Sequence, residues 1–269
     1  MSKPLWPAVS GAIARDHEVE VISNNLANVN TNGFKKDGVD FKEYLAKNEK
    51  MEDLAEDIPR SPIKDKDLYH LGGRDQSFVI VNGTHTNFKT GGLKVTDNPL
   101  DVALTGPGFF EVGTPQGVRY TKAGSFKLSA EGKLVTTDGN PVLAAGDGDQ
   151  AGRQINLGDR TGSVHINDQG EIYMNDELVS KISVVEFSDL NKVRKIGGLN
   201  FENKDPNNNP PKVAANTETK QGMVETSNVN PVEEISNLIR ANRMFEEDLK
   251  AMKTVNEMLQ KEVNDVGKF

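Results

Sequence analysis

Two stretches of helical periodicity, one towards each end of the chain, constrain its fold more than any other feature. In the C-terminal stretch, positions spaced alternately by three and four hold Ile235, Leu238, Asn242, Phe245, Leu249, Met252, Asn256, Leu259 and Val263. Seven of these nine are apolar, and the residues between them are mostly charged or polar. This is the pattern of a heptad seam carrying two asparagines on its buried side. Its start is well marked: Asn230 can cap, Pro231 suits the first helical position, and Glu233 stands where a capping box needs it. A helix over 231–264 is about 50 Å long at ~1.5 Å per residue. The N-terminal stretch repeats the pattern at Leu5, Ala8, Ala12, Arg15, Val19, Ile22, Leu26 and Val29, broken only by Arg15. Pro4 and Pro7 fit a first turn, where backbone N–H groups lack internal partners. Asn32-Gly33 supplies the stop, since both residues tolerate the left-handed conformation.

Between these ends the period changes to two. SFVIV, Asn82-Gly83 and THTNF read as strand, tight turn and strand. SFKLS, KLVTT and PVLAA, separated by AEG and DGN, read as three more strands. SVHIN, EIYMN and LVSKISVVEF continue the series, and turn signals at this density indicate antiparallel β-structure, as a sandwich or open barrel. The charged, proline-bearing run at 46–70 reads as an extended linker, and NKDPNNNPP at 203–211 as a second polar connection. The expected fold is therefore α+β: an antiparallel all-β central domain flanked by long coiled-coil-type helices that pair with each other. The expected boundaries are an assembly helix and turn over 1–45, a linker or arm over 46–72, the β-rich domain over 73–225 with a connection at 203–213, and a second assembly helix over 226–269.

A pair of helices covers only part of each apolar stripe. Burying one large aliphatic side chain is worth ~1.5–3 kcal/mol, so several left in water are a liability unless neighbouring copies cover them. The stripes thus point to self-assembly through the ends, with Asn242 and Asn256 trading stability for register.

Chemistry is hard to find. The chain has no cysteine, which removes thiol nucleophiles, thiolate metal sites and disulfides. His17, His70, His85 and His165 are far apart, without zinc-helix spacing. GDGDQAG at 146–152 lacks the length and final Glu of a calcium loop, and reads as a solvated turn. GPGFF at 106–110 lacks the Lys-Ser/Thr ending of a phosphate loop, and reads as a bend before a buried strand. No catalytic, cofactor or metal site is expected. The net charge of −8 with mixed signs disfavours nucleic acid. No run reaches the ~18 apolar residues of a membrane span, and Arg15 to Glu18 interrupt anything resembling a secretory signal. A soluble β-sandwich binding module, dimerised by its terminal helices, is the alternative these residues leave open.

NNLANVNTNGFKK at 24–36 resembles the N-terminal signature of the flagellar axial proteins, which comprise rod, hook and hook-associated subunits. NPLDVALTGPGFFEV at 98–112, with YTKAGSFKLSAEGKLVTTDGNPVL at 120–143, resembles the β domain that rod and hook proteins share. QGMVETSNVNPVEEISNLI at 221–239, followed by ANRMFEEDLKAMKTVNEML, resembles the family's C-terminal signature. The resemblance implies a structural subunit and no enzyme: a flagellar rod protein within the periplasm, polymerising helically around a central channel. It implies copies of itself and other proximal- and distal-rod subunits as partners, and delivery by the flagellar type III export apparatus. Within the family the opening residues and ANRMFEEDLK are most similar to the proximal-rod class, with a distal-rod or short hook-type subunit as the alternative. Asn24, Asn25 and Asn28 are expected to bond backbone near the helix end, Asn32 and Gly33 to turn the chain, and Phe34 to anchor it. The assembly surface expected comprises these residues with Leu5, Val19, Ile22, Leu26 and Val29 on one helix. On the other it comprises Ile235, Leu238, Asn242, Phe245, Leu249, Met252, Asn256 and Leu259.

Overall fold

A computed structural model describes residues 5–46, 76–146, 148–158 and 162–266. It is α+β. Helix α1 (Leu5–Ala27) opens the chain and α2 (Pro231–Val266) closes it, with antiparallel β-structure between. The linker expected over 46–72 lies, beyond Ala46, outside the described residues, as do His70, Asp147 and the side chains of Leu5, Leu259 and Val263.

The strands follow in chain order. First come β1 (Asp37–Ala46), β2 (Gln76–Thr86), β3 (Leu93–Val95), β4 (Val102–Thr105), β5 (Phe109–Thr114) and β6 (Gly117–Thr121). Then come β7 (Phe126–Leu128), β8 (Leu134–Thr136), β9 (Val164–Ile166), β10 (Glu171–Met174), β11 (Glu177–Lys181) and β12 (Val184–Glu186). The last are β13 (Val193–Gly197), β14 (Asn200–Asn203), β15 (Lys212–Val213), β16 (Glu218–Gln221) and β17 (Met223–Glu225). The chain divides into two compact units: Met1–Ser23, Val39–Thr84 and Ile235–Phe269 form one, Asn24–Gly38 and His85–Glu234 the other.

The second unit is built on a six-stranded sheet ordered β13-β14-β6-β5-β12-β15. Its centre is β5, whose consecutive Phe109 and Phe110 point to opposite faces because side chains alternate along a strand. Phe110 joins Val102, Leu104, Phe126, Leu134, Val142 and Ile172 in one core, and Phe109 joins Tyr120, Phe187, Val193 and Phe201 in another. The second core is aromatic: Phe109 meets Phe88, Phe187 and Phe201 with ring centres 5.5–5.7 Å apart, within the range edge-to-face pairs prefer. The GPGFF segment is the expected bend before a buried strand. Gly106 has φ +141°, and a Cβ there would lie 2.4 Å from Asn216 O. The expected β7–β8 and β9–β10–β11 meanders are present and antiparallel.

One expected hairpin is overturned. Asn82-Gly83 makes no turn. It lies inside the continuous strand β2, with Gly83 at φ +131°. The partner of β2 is β1, and Asn87 N donates to Lys36 O at 2.8 Å where the two run together. A turn dipeptide folds back only if its flanks are each other's best partners. Here an unanticipated ten-residue strand outcompetes that local closure.

In the first unit α1 rests on this ribbon. Ser10 Oγ accepts from Val79 N at 3.2 Å, and the Arg15 guanidinium stands 5.8 Å from the Phe41 ring centre. The stripe on α1 faces inward, with Ala12 and Ile22 buried and Ala8, Arg15, Val19, Leu26 and Val29 partly so. On α2 the seam is displaced. Leu238, Phe245 and Met252 are half-buried as drawn, whereas Ile235, Asn242, Leu249 and Asn256 are exposed, so the two asparagines are not on the buried side. Their places on the inner face are taken by Ala241, Asp248 and Val255. Small residues decide this. A Cβ on Gly11 of α1 would lie 3.3 Å from Asp248 Oδ2, a separation that Ile235 or Leu249 in the same role would not permit.

Truncating Phe110 in the closed core of the second unit removes a ring and leaves a void. Phe110→Ala is expected to lower unfolding free energy by about 3–5 kcal/mol, read from denaturant titration with unchanged m.

Candidate functional site

Within the second unit, the segment after α1 meets the segment before and into α2, and they meet through charge. Lys35 and Glu225 both have side-chain exposures of 0%. Lys35 Nζ donates to Glu225 Oε1 at 2.5 Å and to Lys89 O at 2.8 Å, and Gly91 N donates to the same Oε1 at 2.8 Å. The backbone carbonyl of Glu225 accepts from Gly33 N at 2.7 Å. One residue of β17 thus fixes both the turn and the lysine that follows it. Gly33 is required twice over: its φ is +74°, and a Cβ would lie 2.5 Å from Ala123 N.

A second layer lies beside it. Asn25, buried in the last turn of α1, donates from Nδ2 to Asp37 O at 2.8 Å and accepts at Oδ1 from Asp37 N at 3.0 Å, as a neighbouring strand would. The same Nδ2 reaches Glu234 Oε2 at 3.3 Å. Lys36 Nζ lies 2.5 Å from Glu234 Oε1 and 3.5 Å from Glu233 Oε1, and Lys36 N donates to Asn228 Oδ1 at 2.8 Å. Burial works against the Lys36 charge, but Glu234 and Glu233 outweigh it, so its pKa stands above the ordinary value. Two carboxylates in the first turn of α2 also suit the positive end of the helix dipole. Asn230 caps that helix, its Oδ1 accepting from Val232 N at 3.1 Å.

Two further lysines close the junction. Lys195 Nζ donates to Lys35 O at 2.6 Å and Asp37 Oδ2 at 2.7 Å, and stands 4.0 Å from the centre of the Phe34 ring. Lys122, 1% exposed, donates to Gly106 O at 2.8 Å over the face of Phe109. Burial pushes the Lys122 pKa down to about 8, with Lys35 adding to the effect and Glu225 opposing it. The other carboxylate oxygen of Glu225 is buried without a hydrogen-bond partner. The arrangement holds an exact register between two distant segments. Among the described residues no cluster of His, Cys, Asp or Glu is placed to hold a metal, and His17, His85 and His165 stand separately and exposed.

Of the residues singled out from sequence, Asn25, Gly33 and Phe34 enter this junction. Asn28 bonds Asn24 O at 2.9 Å, as expected of a helix end, and Asn32 reaches Ser125 Oγ at 3.4 Å. Asn24 is exposed through its side chain. The residues expected on α2, Ile235 to Leu259, fall in the other unit and take no part. Sequence reasoning missed Lys35, Glu225, Glu234, Asn228, Lys122 and Lys195. The signal available was charge placed inside otherwise neutral motifs: FKK after Asn32-Gly33, and ETSNVNPVEE before the helix.

The pairing and the depressed lysine have measurable consequences. Glu225→Gln strands the Lys35 cation and is expected to cost about 3–5 kcal/mol, whereas the double variant Lys35→Met with Glu225→Gln recovers much of that loss; chemical denaturation of the four proteins measures the coupling. Lys122 titrates near 8 in the folded chain against 10.5 when free. Between those values the unfolded chain binds more protons, so this group makes stability rise with pH across that window and leaves it flat below. Melting temperatures of the parent and Lys122→Met from pH 7 to 10.5 should converge or diverge accordingly, the parent alone showing the upward contribution.

Three family models match in chain order. "Flagella basal body rod protein" matches 7–35, "Flagellar hook protein FlgE/F/G D1 domain" matches 103–174, and "Flagellar basal body rod FlgEFG protein C-terminal" matches 220–266. Lys35 thus lies in the first of these and Glu225 in the third. The chain is 33% identical over 269 residues to the flagellar basal-body rod protein FlgF of Caulobacter vibrioides, covering 100% of both. It is 32% identical to FlgG of Buchnera aphidicola subsp. Schizaphis graminum, covering 97% of this chain and 98% of that one. To FlgG of Bacillus subtilis it is 30% identical, covering 98% and 99%. Since this likeness runs from end to end and takes in both segments that the buried charges join, the chain belongs to the flagellar basal-body rod protein family.

Proposed function

We propose that the chain is a structural subunit of the flagellar rod, of the proximal-rod class, that polymerises helically through its terminal helices into the shaft enclosing the export channel. The observation that carries this reading is on α2. Along its 36 residues, Ile235, Ile239, Leu249 and Met258 stand in water while the β unit has closed its own cores. Apolar surface of that kind is retained where other subunits cover it. The partners are copies of this chain and other rod subunits, the residues named on α1 and α2 serve as the assembly surface, and 46–72 acts as an arm towards neighbours. Pairing of α1 with α2 in coiled-coil fashion belongs to the assembled state, as do a periplasmic position and delivery through the type III export apparatus. A distal-rod or short hook-type subunit is the second reading, because relatives named FlgF and FlgG match at 33% and 32% identity.

Basal bodies purified from cells expressing a tagged chain are expected to carry the tag along the rod in immunogold images. Removing Ile235–Phe269, which spares the buried junction, should abolish incorporation and motility while the secreted fragment keeps its β circular-dichroism signal. Absence of the intact tagged chain from basal bodies would count against the rod.

A further inference from the structure

The outward face of α1 is acidic with one greasy residue. Ile13 is 56% exposed, and Asp16 and Glu20 share its face at helical spacing, both exposed. The outward face of α2 has the opposite character. Ile235 and Ile239 are 46% and 50% exposed, and the same face continues into Arg243 and Lys250, also exposed. Arg243, Lys250 and Asp16 make no ion pair among the described residues, and Glu20 has only the half-exposed His17, 3.3 Å away. Neither face is the one that turns inward: Ala12 and Ile22 mark that side of α1, and Ala241, Phe245 and Met252 that side of α2.

We propose that these two faces are complementary halves of one contact between copies of this chain, the acidic outer face of α1 on one copy seating against the basic outer face of α2 on the next. Ile13 is covered by Ile235 and Ile239, and Asp16 and Glu20 lie along Arg243 and Lys250. The occupant is a second copy because both halves are present on every chain and match in sign and in apolar content. Because the two patches differ, the contact is heterologous: each copy offers a free half to the next, and repetition gives an open filament and no closed pair. This rests on the rod reading and says which surfaces carry it. Exposed charges screen within roughly 8–10 Å at physiological salt, so the apolar residues carry affinity while the charges select the partner face.

The absence of native cysteine makes the test clean. Full-length chains carrying Ile13→Cys with Ile239→Cys, assembled in cells and treated with a short bis-maleimide, are expected to give a ladder of multimers from purified basal bodies, and neither single variant should exceed a dimer. Asp16→Lys with Glu20→Lys should cut incorporation at least tenfold, and Arg243→Glu with Lys250→Glu in the same chain should restore it. Basal bodies that contain the double-cysteine chain yet yield no ladder, or a charge reversal without effect, would overturn the face pairing and leave the rod reading standing. Absence of the unaltered chain from basal bodies would overturn both.

Discussion

The buried pair of Lys35 and Glu225 is the interaction on which the second unit depends. Its partners are 190 residues apart in sequence, so closing it fixes the two ends of that unit against each other. Taking both charges out of water is expensive, and such a pair adds little net stability over apolar residues of the same size. What it adds is selection. Glu225 presents its carboxylate to Lys35 and its carbonyl to Gly33 from one position on β17. A slip of one residue would turn that side chain to the other face of the strand and place Val224 or Thr226 opposite the ammonium. Such a slip leaves Lys35 buried and unpaired, which the fold does not tolerate.

Around that pair the same logic recurs in weaker form. Asn25 copies a strand neighbour with its carboxamide, Lys36 draws the first turn of α2 to itself through Glu234, and Lys195 clasps the turn from β13. Lys122 is the strained member. It brings a second buried cation to a site with one buried carboxylate at its centre, and burial lowers its pKa in consequence. The backbone contributes as much as the side chains, since Gly33 lies where any Cβ would collide with Ala123. A junction assembled from such exacting parts has few near-neighbours in conformation, which suits a subunit that must present its helix starts identically in every copy.

The apolar accounts of the two units differ. In the second, β5 carries Phe109 and Phe110 into two cores and little large apolar surface is left along it. In the first, α1 and the β1–β2 ribbon cover each other only in part, and α2 keeps isoleucine, leucine and methionine in solvent. A chain whose β unit is self-sufficient and whose helices are not is suited to polymerisation, because incorporation can bury helix surface without disturbing the body.

Sequence alone determined the elements whose signals are local. The α2 start at Pro231 is written in Asn230 and its followers, the α1 stripe in a spacing of three and four, and the β7 to β11 meanders in period-two runs between turn residues. It also determined the family, because long motifs in fixed order survive without any knowledge of contacts. Tertiary structure decided the rest, wherever two distant segments compete for the same partner. Asn82-Gly83 reads as a turn until Val39 and Phe41, alternating with Asp40 and Lys42, offer β2 a longer strand to pair with. The inner face of α2 was misplaced because large apolar residues draw attention, whereas close approach at Gly11 selected Ala241 and Asp248. Lys35 and Glu225 are ordinary charged residues in sequence, since the value of a charge depends on its burial and its partner, and both exist only once the chain has closed.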